Sequence, residues 1–489
     1  MQNHGPPLIL QPIGPEDAGD SSSRSAAEQL ERLRLVEQVF NLLGGTGRLT
    51  TYPTIRRTFV DLDVVIFGGG AAGLWLLDEL TRCGQRAVLL EANALGTGQT
   101  VAAQGIIHGG LKYTLQGLLT NSATSIREMP AIWRECLNGK REPNLSALRR
   151  RSDECFLWRT ESLSSRLGML GAQFGLRVAP QTVSKDDRPE ILRGCPGTVA
   201  RLPEQVISTV SLIEVLAARN RERLLMVDPA RVAFECERPG AVESIRIDGL
   251  HPELSGTALA AGFVQTFPPA ASAVPLTLWP RAVVFTAGAG NSNLRRSVGL
   301  TTEAMQRRPL HMIMLRSERL PMFQGHCVDG AKTRVTITSE VDSEGRTVWQ
   351  VGGQIAEDGV AWDERTLLTR AREELRAVLP NIDLSSVEWS TYRVDRAEGI
   401  IPGGKRPESV QIRREGNCLT AWPTKLALVP QLSAELCRQI GIADCKSPID
   451  SVGVPRDWPR PTVALPPWET ATRWLADRDV GPAIRSKAA

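Results

Sequence analysis

The stretch Asp63–Asn93, DVVIFGGGAAGLWLLDELTRCGQRAVLLEAN, decides how this chain is read. A β-branched run ending at Phe67 is followed by Gly68, Gly70 and Gly73 in G-x-G-x-x-G spacing, then by leucines at helical intervals. After Gly84 comes a second apolar run, Arg86–Ala92, with Glu91 near its end, 18 residues beyond Gly73. Strand, glycine turn, helix and strand make a βαβ unit, which implies an α/β fold with a doubly wound parallel sheet. Each glycine has a physical task. Gly68 permits the tight turn, Gly70 lets backbone approach a pyrophosphate, and Gly73 lets helix and strand pack closely. The helix N-terminus, with Ala72 in its first turn, offers unpaired N–H groups and a positive dipole end to the phosphates. Glu91 can accept a hydrogen bond from a ribose hydroxyl, and its charge argues against a 2′-phosphate.

Upstream, residues 1–24 are rich in Pro, Gly and Ser and read as a flexible terminus. Residues 25–59 form an N-terminal helical extension, its amphipathic helix over Ser25–Leu43 stopped by Gly44, Gly45 and Gly47. Downstream, RAVVFTAGAGNS (Arg281–Ser292) is a buried strand entering another glycine turn. Between about 305 and 392, PLHMIMLRS, TRVTITSEV, TVWQVGGQI and VEWSTYRV read as strands of a mainly antiparallel sheet, interrupted by the charged helix DERTLLTRAREELRAVL. WPTKLALVPQLSAELCRQIG (Trp422–Gly441) returns to helix. The pattern divides into a discontinuous nucleotide-binding domain (60–115, 200–300 and 395–445), a substrate domain (116–199 and 301–394) and an extended Pro-rich tail (446–489).

Composition excludes several classes. With 58 Lys and Arg against 54 Asp and Glu, the net charge of +4 over 489 residues provides no broad attraction to nucleic acid. The most hydrophobic stretch, Val64–Leu77, contains four glycines and is far shorter than the roughly 20 apolar residues that span a bilayer. No transmembrane segment is expected, and peripheral membrane contact stays open. The N-terminus lacks the basic start and apolar core of an export signal, so a cytoplasmic protein is expected. Nine widely spaced cysteines, without a two-residue clip, read as reduced structural thiols, and no metal-ligand spacing is present.

The segment after Glu91, ALGTGQTVAAQGIIHGGLKY (Ala94–Tyr113), resembles the flavin segment of FAD-dependent oxidoreductases of the D-amino-acid oxidase and glycerol-3-phosphate dehydrogenase superfamily. Within it, GIIHGGLKY (Gly105–Tyr113) is similar to the I-H-G-G or I-H-A-G motif of glycerol-3-phosphate and L-2-hydroxyglutarate dehydrogenases. VVFTAGAGNS is similar to the strand end where the cofactor domain returns to the flavin. YRVDRAEGIIPGG (Tyr392–Gly404) resembles the late R-P-x-x-D-G-x-P-x-I-G block, and WPTKLALVPQLSAEL the closing segment. The resemblance implies a Rossmann-like FAD-binding domain beside a mainly antiparallel substrate domain. It also implies FAD contacts from Thr100, Val101, Gln104, Gly105, Val232, Ala287, Gly288 and Lys425. Gln99 stands where succinate dehydrogenase flavoproteins carry a flavin-linked histidine, and an amide cannot form that link, so noncovalent FAD is expected. Ala397 replaces the usual proline and Glu398 stands near the usual aspartate, which weakens the transfer of any one member's substrate.

Oxidation at a flavin needs the substrate C–H near N5, a path for the heteroatom proton and a charge that orients the substrate. His108 is the candidate base, against a reading in which it only hydrogen-bonds backbone or flavin. Arg396 is the candidate for holding a carboxylate or phosphate as a bidentate pair, against a salt bridge to Asp395 or Glu398; Arg393 competes for the role. Lys425 and Lys112 stand out in a chain with eight lysines, since a cation near flavin N1 stabilises the reduced ring. Tyr113 either lines the substrate side or packs in the core, and His311 and His326 read as surface or core histidines. The expected reaction is hydride transfer from a small hydroxy acid, glycerol-phosphate-like alcohol or similar anion to flavin N5. Quinone, oxygen or another carrier remains open as electron acceptor, with a dehydrogenase preferred. The alternatives are an oxygen-using amine or amino-acid oxidase and a non-catalytic nucleotide-binding interaction protein.

Overall fold

The computed structural model describes residues 58–109, 126, 128–160, 181–248, 274–329, 332–442, 447, 449 and 451–481. The expected N-terminal helix, Lys112 and Tyr113 lie outside the described residues. The βαβ unit is β1 (Thr58–Phe67), α1 (Ala71–Arg82) and β2 (Ala87–Glu91). β1 is flanked by β2 on one side and by β6 (Leu276–Phe285) on the other, both parallel to it. β3 (Leu224–Met226) continues the parallel sheet beyond β2, and β13 (Cys418–Trp422) beyond β6. The spatial order β3-β2-β1-β6-β13 therefore reverses direction at β1, the switch point at which α/β sheets open a crevice for ligands. Antiparallel strands finish this sheet: β12 (Gln411–Glu415) on β13, and the hairpin of β4 (Val232–Arg238) and β5 (Ala241–Ile247) on β6.

The central strands are apolar on both faces because both are covered. One core holds Val64, Ile66, Leu89 and Val284 against Leu74, Leu77, Leu212 and Leu432 from helices. The other holds Val65, Phe67, Val88 and Phe285 with Trp458. Arg295, with its side chain fully buried, ties the β12–β13 hairpin to this sheet. Its Nη1 and Nη2 donate to the Glu415 carboxylate at 2.6 and 3.0 Å, and its Nε donates to Thr301 O at 2.7 Å. Replacing Glu415 with Ala leaves that guanidinium buried without a counter-charge, which costs about 3–5 kcal/mol. A correspondingly lower urea midpoint, followed by tryptophan fluorescence, is the expected result.

A second sheet is built mainly from antiparallel pairs. Its centre is β7 (Met305–Ser317), β8 (Gly325–Asp329), β9 (Lys332–Val341), β10 (Thr347–Gly352) and β11 (Glu388–Gly399), in the order β11-β7-β10-β9-β8. Cys155–Trp158 joins β8 as a parallel neighbour. The charged helix expected near Asp363 is α2 (Glu364–Val378), started by the Asp363 carboxylate accepting the Thr366 N–H at 2.7 Å. Its buried residues Leu367, Leu368, Ala371, Leu375 and Val378 recur at helical spacing and pack on Trp349, Val351 and Trp389 of the sheet.

The described residues of the C-terminal segment include a short helix, Pro467–Thr470, and dock on the rest of the described chain. Leu95 N–H donates to Thr462 O at 2.7 Å, buried Trp458 donates to Met226 O at 2.9 Å, and Leu475–Ala476 adds to β11. Cys83 departs from the expected reduced thiols. It is disulfide-bonded, whereas the seven other described cysteines are free. Among the described residues no helix is long and apolar enough to cross a membrane.

Candidate active site

At the switch point a cavity of about 670 Å³ opens, within the range typical of small-molecule sites. Its lining includes Gly68, Gly70, Ala72 and Glu91 of the βαβ unit, Thr100, Ala287 and Gly288, and Ala397, Trp422 and Lys425. Val232 also lines it. Gly68 adopts φ +106°, and a Cβ there would lie 2.5 Å from Ala287 Cα, so the turns after β1 and β6 touch backbone to backbone. Gly73 does not line the cavity; a Cβ on it would run into Gly68 O, so its role is helix–turn packing.

The cradle fits a dinucleotide. α1 begins at Gly70 with no side-chain cap and no acidic residue in its first turn, leaving a positive helix end for an anion. Glu91 Oε2 accepts the Gly69 N–H at 2.6 Å and Oε1 the Asn93 N–H at 2.8 Å, which fixes the carboxylate at the cavity edge. Burial nevertheless pushes its pKa above the usual carboxylate value, against the backbone N–H groups that lower it.

Other expected contacts serve the walls. Val101 is buried core, and a Cβ on Gly105 would strike Ile207 O. The Gln104 amide donates to Thr336 O at 2.9 Å and Gln350 O at 3.0 Å, pinning the flavin-type segment to β9 and β10. Gln99 lines the cavity, and its Oε1 accepts the Ala397 N–H at 3.0 Å, joining that segment to β11.

On β11, Arg393, Val394, Asp395 and Ala397 line the cavity while Arg396 does not. Arg393 donates to Val360 O and Trp362 O, both at 3.1 Å. The partner of Arg396 is neither Asp395 nor Glu398 but Glu357, at 3.1 Å. Glu398 is instead fully buried and held by Arg308 at 2.8 and 3.1 Å. Burial, and then the positive charge of Arg308 and Arg406, hold the Arg396 pKa below the usual arginine value.

His311 is a satisfied core histidine, its nitrogens 3.1 Å from Gly359 O and Thr391 Oγ1, with its pKa pushed down by burial. His108 sits beside Glu204 and His326. Sequence reading did not join these three, because they come from separate parts of the chain. Nor did it find Thr424, a non-glycine residue at φ +65° just after Trp422, whose Oγ1 donates to Ser409 O at 2.9 Å. Such strained backbone is concentrated at functional sites.

Fold and cavity together define a dinucleotide-binding flavoprotein. The family model for the DAO family, FAD dependent oxidoreductase, matches residues 63–410. The probable FAD-dependent oxidoreductase PA4991 of Pseudomonas aeruginosa is 38% identical over 413 residues, covering 84% of this chain and 98% of that protein. Its crystal structure superposes with a TM-score of 0.68 at 34% identity, covering 85% of this chain and 99% of that one. L-α-glycerophosphate oxidase from Mycoplasma pneumoniae, solved with FAD bound, shares the fold at a TM-score of 0.52 and 12% identity, covering 81% of this chain and 99% of that one. The chain belongs to the DAO family of FAD-dependent oxidoreductases, and FAD is its cofactor.

Proposed function

We propose that this oxidoreductase acts as a dehydrogenase on a small hydroxy acid, glycerol-phosphate-like alcohol or similar organic anion. Bound FAD supplies the hydride acceptor at N5. Gly68, Gly70, Ala72 and Glu91 hold the diphosphate and ribose end, and Thr100, Ala287, Gly288 and Lys425 the flavin end. Lys425 brings positive charge to the cavity wall, where it would stabilise the reduced ring. The FAD-binding part comprises 60–115, 200–300 and 395–445, and the substrate side comes from 116–199 and 301–394.

The observation that carries the anionic substrate is an excess of positive charge at the end of β11. Arg396, Arg308 and Arg406 gather there, Glu398 pairs with Arg308, and among the described residues the half-exposed Glu357 is the ion-pair partner of Arg396. Among the described residues, Arg406 has no carboxylate within ion-pair distance, its one hydrogen bond being to Thr424 O at 3.5 Å. A carboxylate or phosphate balances that charge and takes the bidentate geometry that guanidinium offers. Arg396 does not line the cavity itself; its strand neighbours Asp395 and Ala397 do, so its charge lies beside the cavity and not in its wall. The glycerophosphate oxidase that shares the fold is named for an anionic alcohol of this kind.

The test is dye-coupled turnover on paired compounds, lactate against lactamide and glycerol 3-phosphate against glycerol, with peroxide followed in parallel. Turnover of the charged member with little peroxide is expected. Equal turnover of the neutral member removes the anion site, and stoichiometric peroxide makes the enzyme an oxidase.

A further inference from the structure

Three side chains outside the cavity lining converge on one point. Glu204 is only 5% exposed, and its Oε1 accepts the Gly109 N–H at 2.6 Å. Its Oε2 faces His108 Nδ1 at 3.4 Å and His326 Nε2 at 4.0 Å, and the three ligand atoms all lie within 4.8 Å of one another. Among the described residues, Glu204 has no lysine or arginine within ion-pair distance.

The two separations are long for ordinary N–H···O hydrogen bonds of 2.7–3.2 Å, though His108 still reaches Glu204 in a weak one. They suit co-ligands. Nitrogen and oxygen atoms about 2.0–2.2 Å from a tetrahedral zinc stand roughly 3.4 Å from each other. The His108–Glu204 contact already has this spacing; the His326–Glu204 pair at 4.0 Å and the two histidines, within 4.8 Å of each other, reach it with shifts of about 0.6 Å and up to about 1.4 Å through side-chain torsions.

The surroundings match what metal ligands need. His326 Nδ1 lies 3.0 Å from Thr336 Oγ1, so a proton on Nδ1 donated to that hydroxyl leaves Nε2 as a lone-pair donor. The Gly109 N–H occupies Oε1 and leaves Oε2 for the ion. The His108 side chain is 33% exposed, which gives an ion a path in.

We propose that His108 Nδ1, Glu204 Oε2 and His326 Nε2 form a site for one divalent transition-metal ion with a zinc-like preference for two nitrogens and one oxygen. The ligands come from three stretches: the segment whose Gln99, Thr100 and Ala103 line the cavity, the residues just before Val206, and β8. A bound ion therefore fastens the flavin-facing segment to the second sheet. It also commits His108 to a ligand's role in place of a base's.

The test uses the full-length flavin-loaded protein, stripped with a chelator and titrated with Zn²⁺ alone. The readouts are metal per chain by elemental analysis after gel filtration, and melting temperature. One equivalent of zinc and a raised melting temperature are expected in the wild type. Glu204→Gln and His108→Asn, each checked for retained flavin as evidence of folding, should weaken binding by at least about 100-fold, the upper end of the loss from removing an outer-shell partner. His326→Asn serves as the third variant if either fails to fold. A wild type that takes up no zinc overturns the proposal, as does zinc binding unchanged in the folded variants.

Discussion

Gly68→Ala should purify without flavin. The residue sits at φ +106°, outside the regions open to side-chain-bearing residues, and holding it there costs about 1–3 kcal/mol. The new Cβ would also fall 2.5 Å from Ala287 Cα, 2.6 Å from Ala287 N and 2.7 Å from Thr286 C. All three are backbone atoms, so no side chain can rotate away, and the ends of β1 and β6 must separate where the cavity opens. A loss of FAD affinity of at least about 100-fold, some 2.7 kcal/mol, is expected from strain and displacement together. Gly70→Ala provides the contrast. Its φ of −77° suits alanine, and its Cβ would meet only the Thr100 hydroxyl at 3.1 Å. That variant should fold with an unchanged melting temperature and still bind FAD more weakly, because the methyl group stands where backbone approaches the pyrophosphate. FAD titration of the two apoproteins, alongside thermal melts, separates the effects. A Gly70→Ala protein that binds FAD as tightly as the wild type would remove the pyrophosphate from this turn.

Arg396→Met should lower kcat/KM for the anionic substrate by about 30- to 5,000-fold while the flavin spectrum stays intact. The estimate follows from the 2–5 kcal/mol lost when one partner of a buried, hydrogen-bonded charge pair is truncated. Arg396→Lys should recover part of the loss, since it restores the charge without the two-pronged geometry. Glu357→Gln should act in the opposite direction. Its carboxylate, 3.1 Å from Arg396 and 45% exposed, competes with the substrate for the guanidinium, so its removal should lower KM a few-fold. Unchanged kinetics in Arg396→Met, or a raised KM in Glu357→Gln, would take the anion site away from this residue.

The nucleotide cradle was legible in the sequence because each of its requirements is local. Glycine spacing, the β-branched run before it and the acid after the second strand are all read within one βαβ unit. The second sheet was legible as texture, and α2 as a periodic run behind an aspartate cap. What was not legible depends on chain segments meeting in space. His108, Glu204 and His326 share no motif and meet only in the fold, where the Ile106–Val206 bridge sets the first two side by side. The Pro-rich tail has no periodicity to betray that Trp458 is core, because its bonds run to Met226, far away in sequence. Thr424 gave no warning, since nothing in a threonine announces a positive φ.

The most direct test of the central claim is the absorption spectrum of the purified protein under anaerobic conditions, as lactate, glycerol 3-phosphate and their uncharged counterparts are added in turn. Flavin bands that pass into the supernatant on acid precipitation, and that bleach in the intact protein with a charged compound but not with its neutral twin, are the expected result. A protein that binds no FAD, or a flavin bleached equally by the neutral compounds, would contradict it.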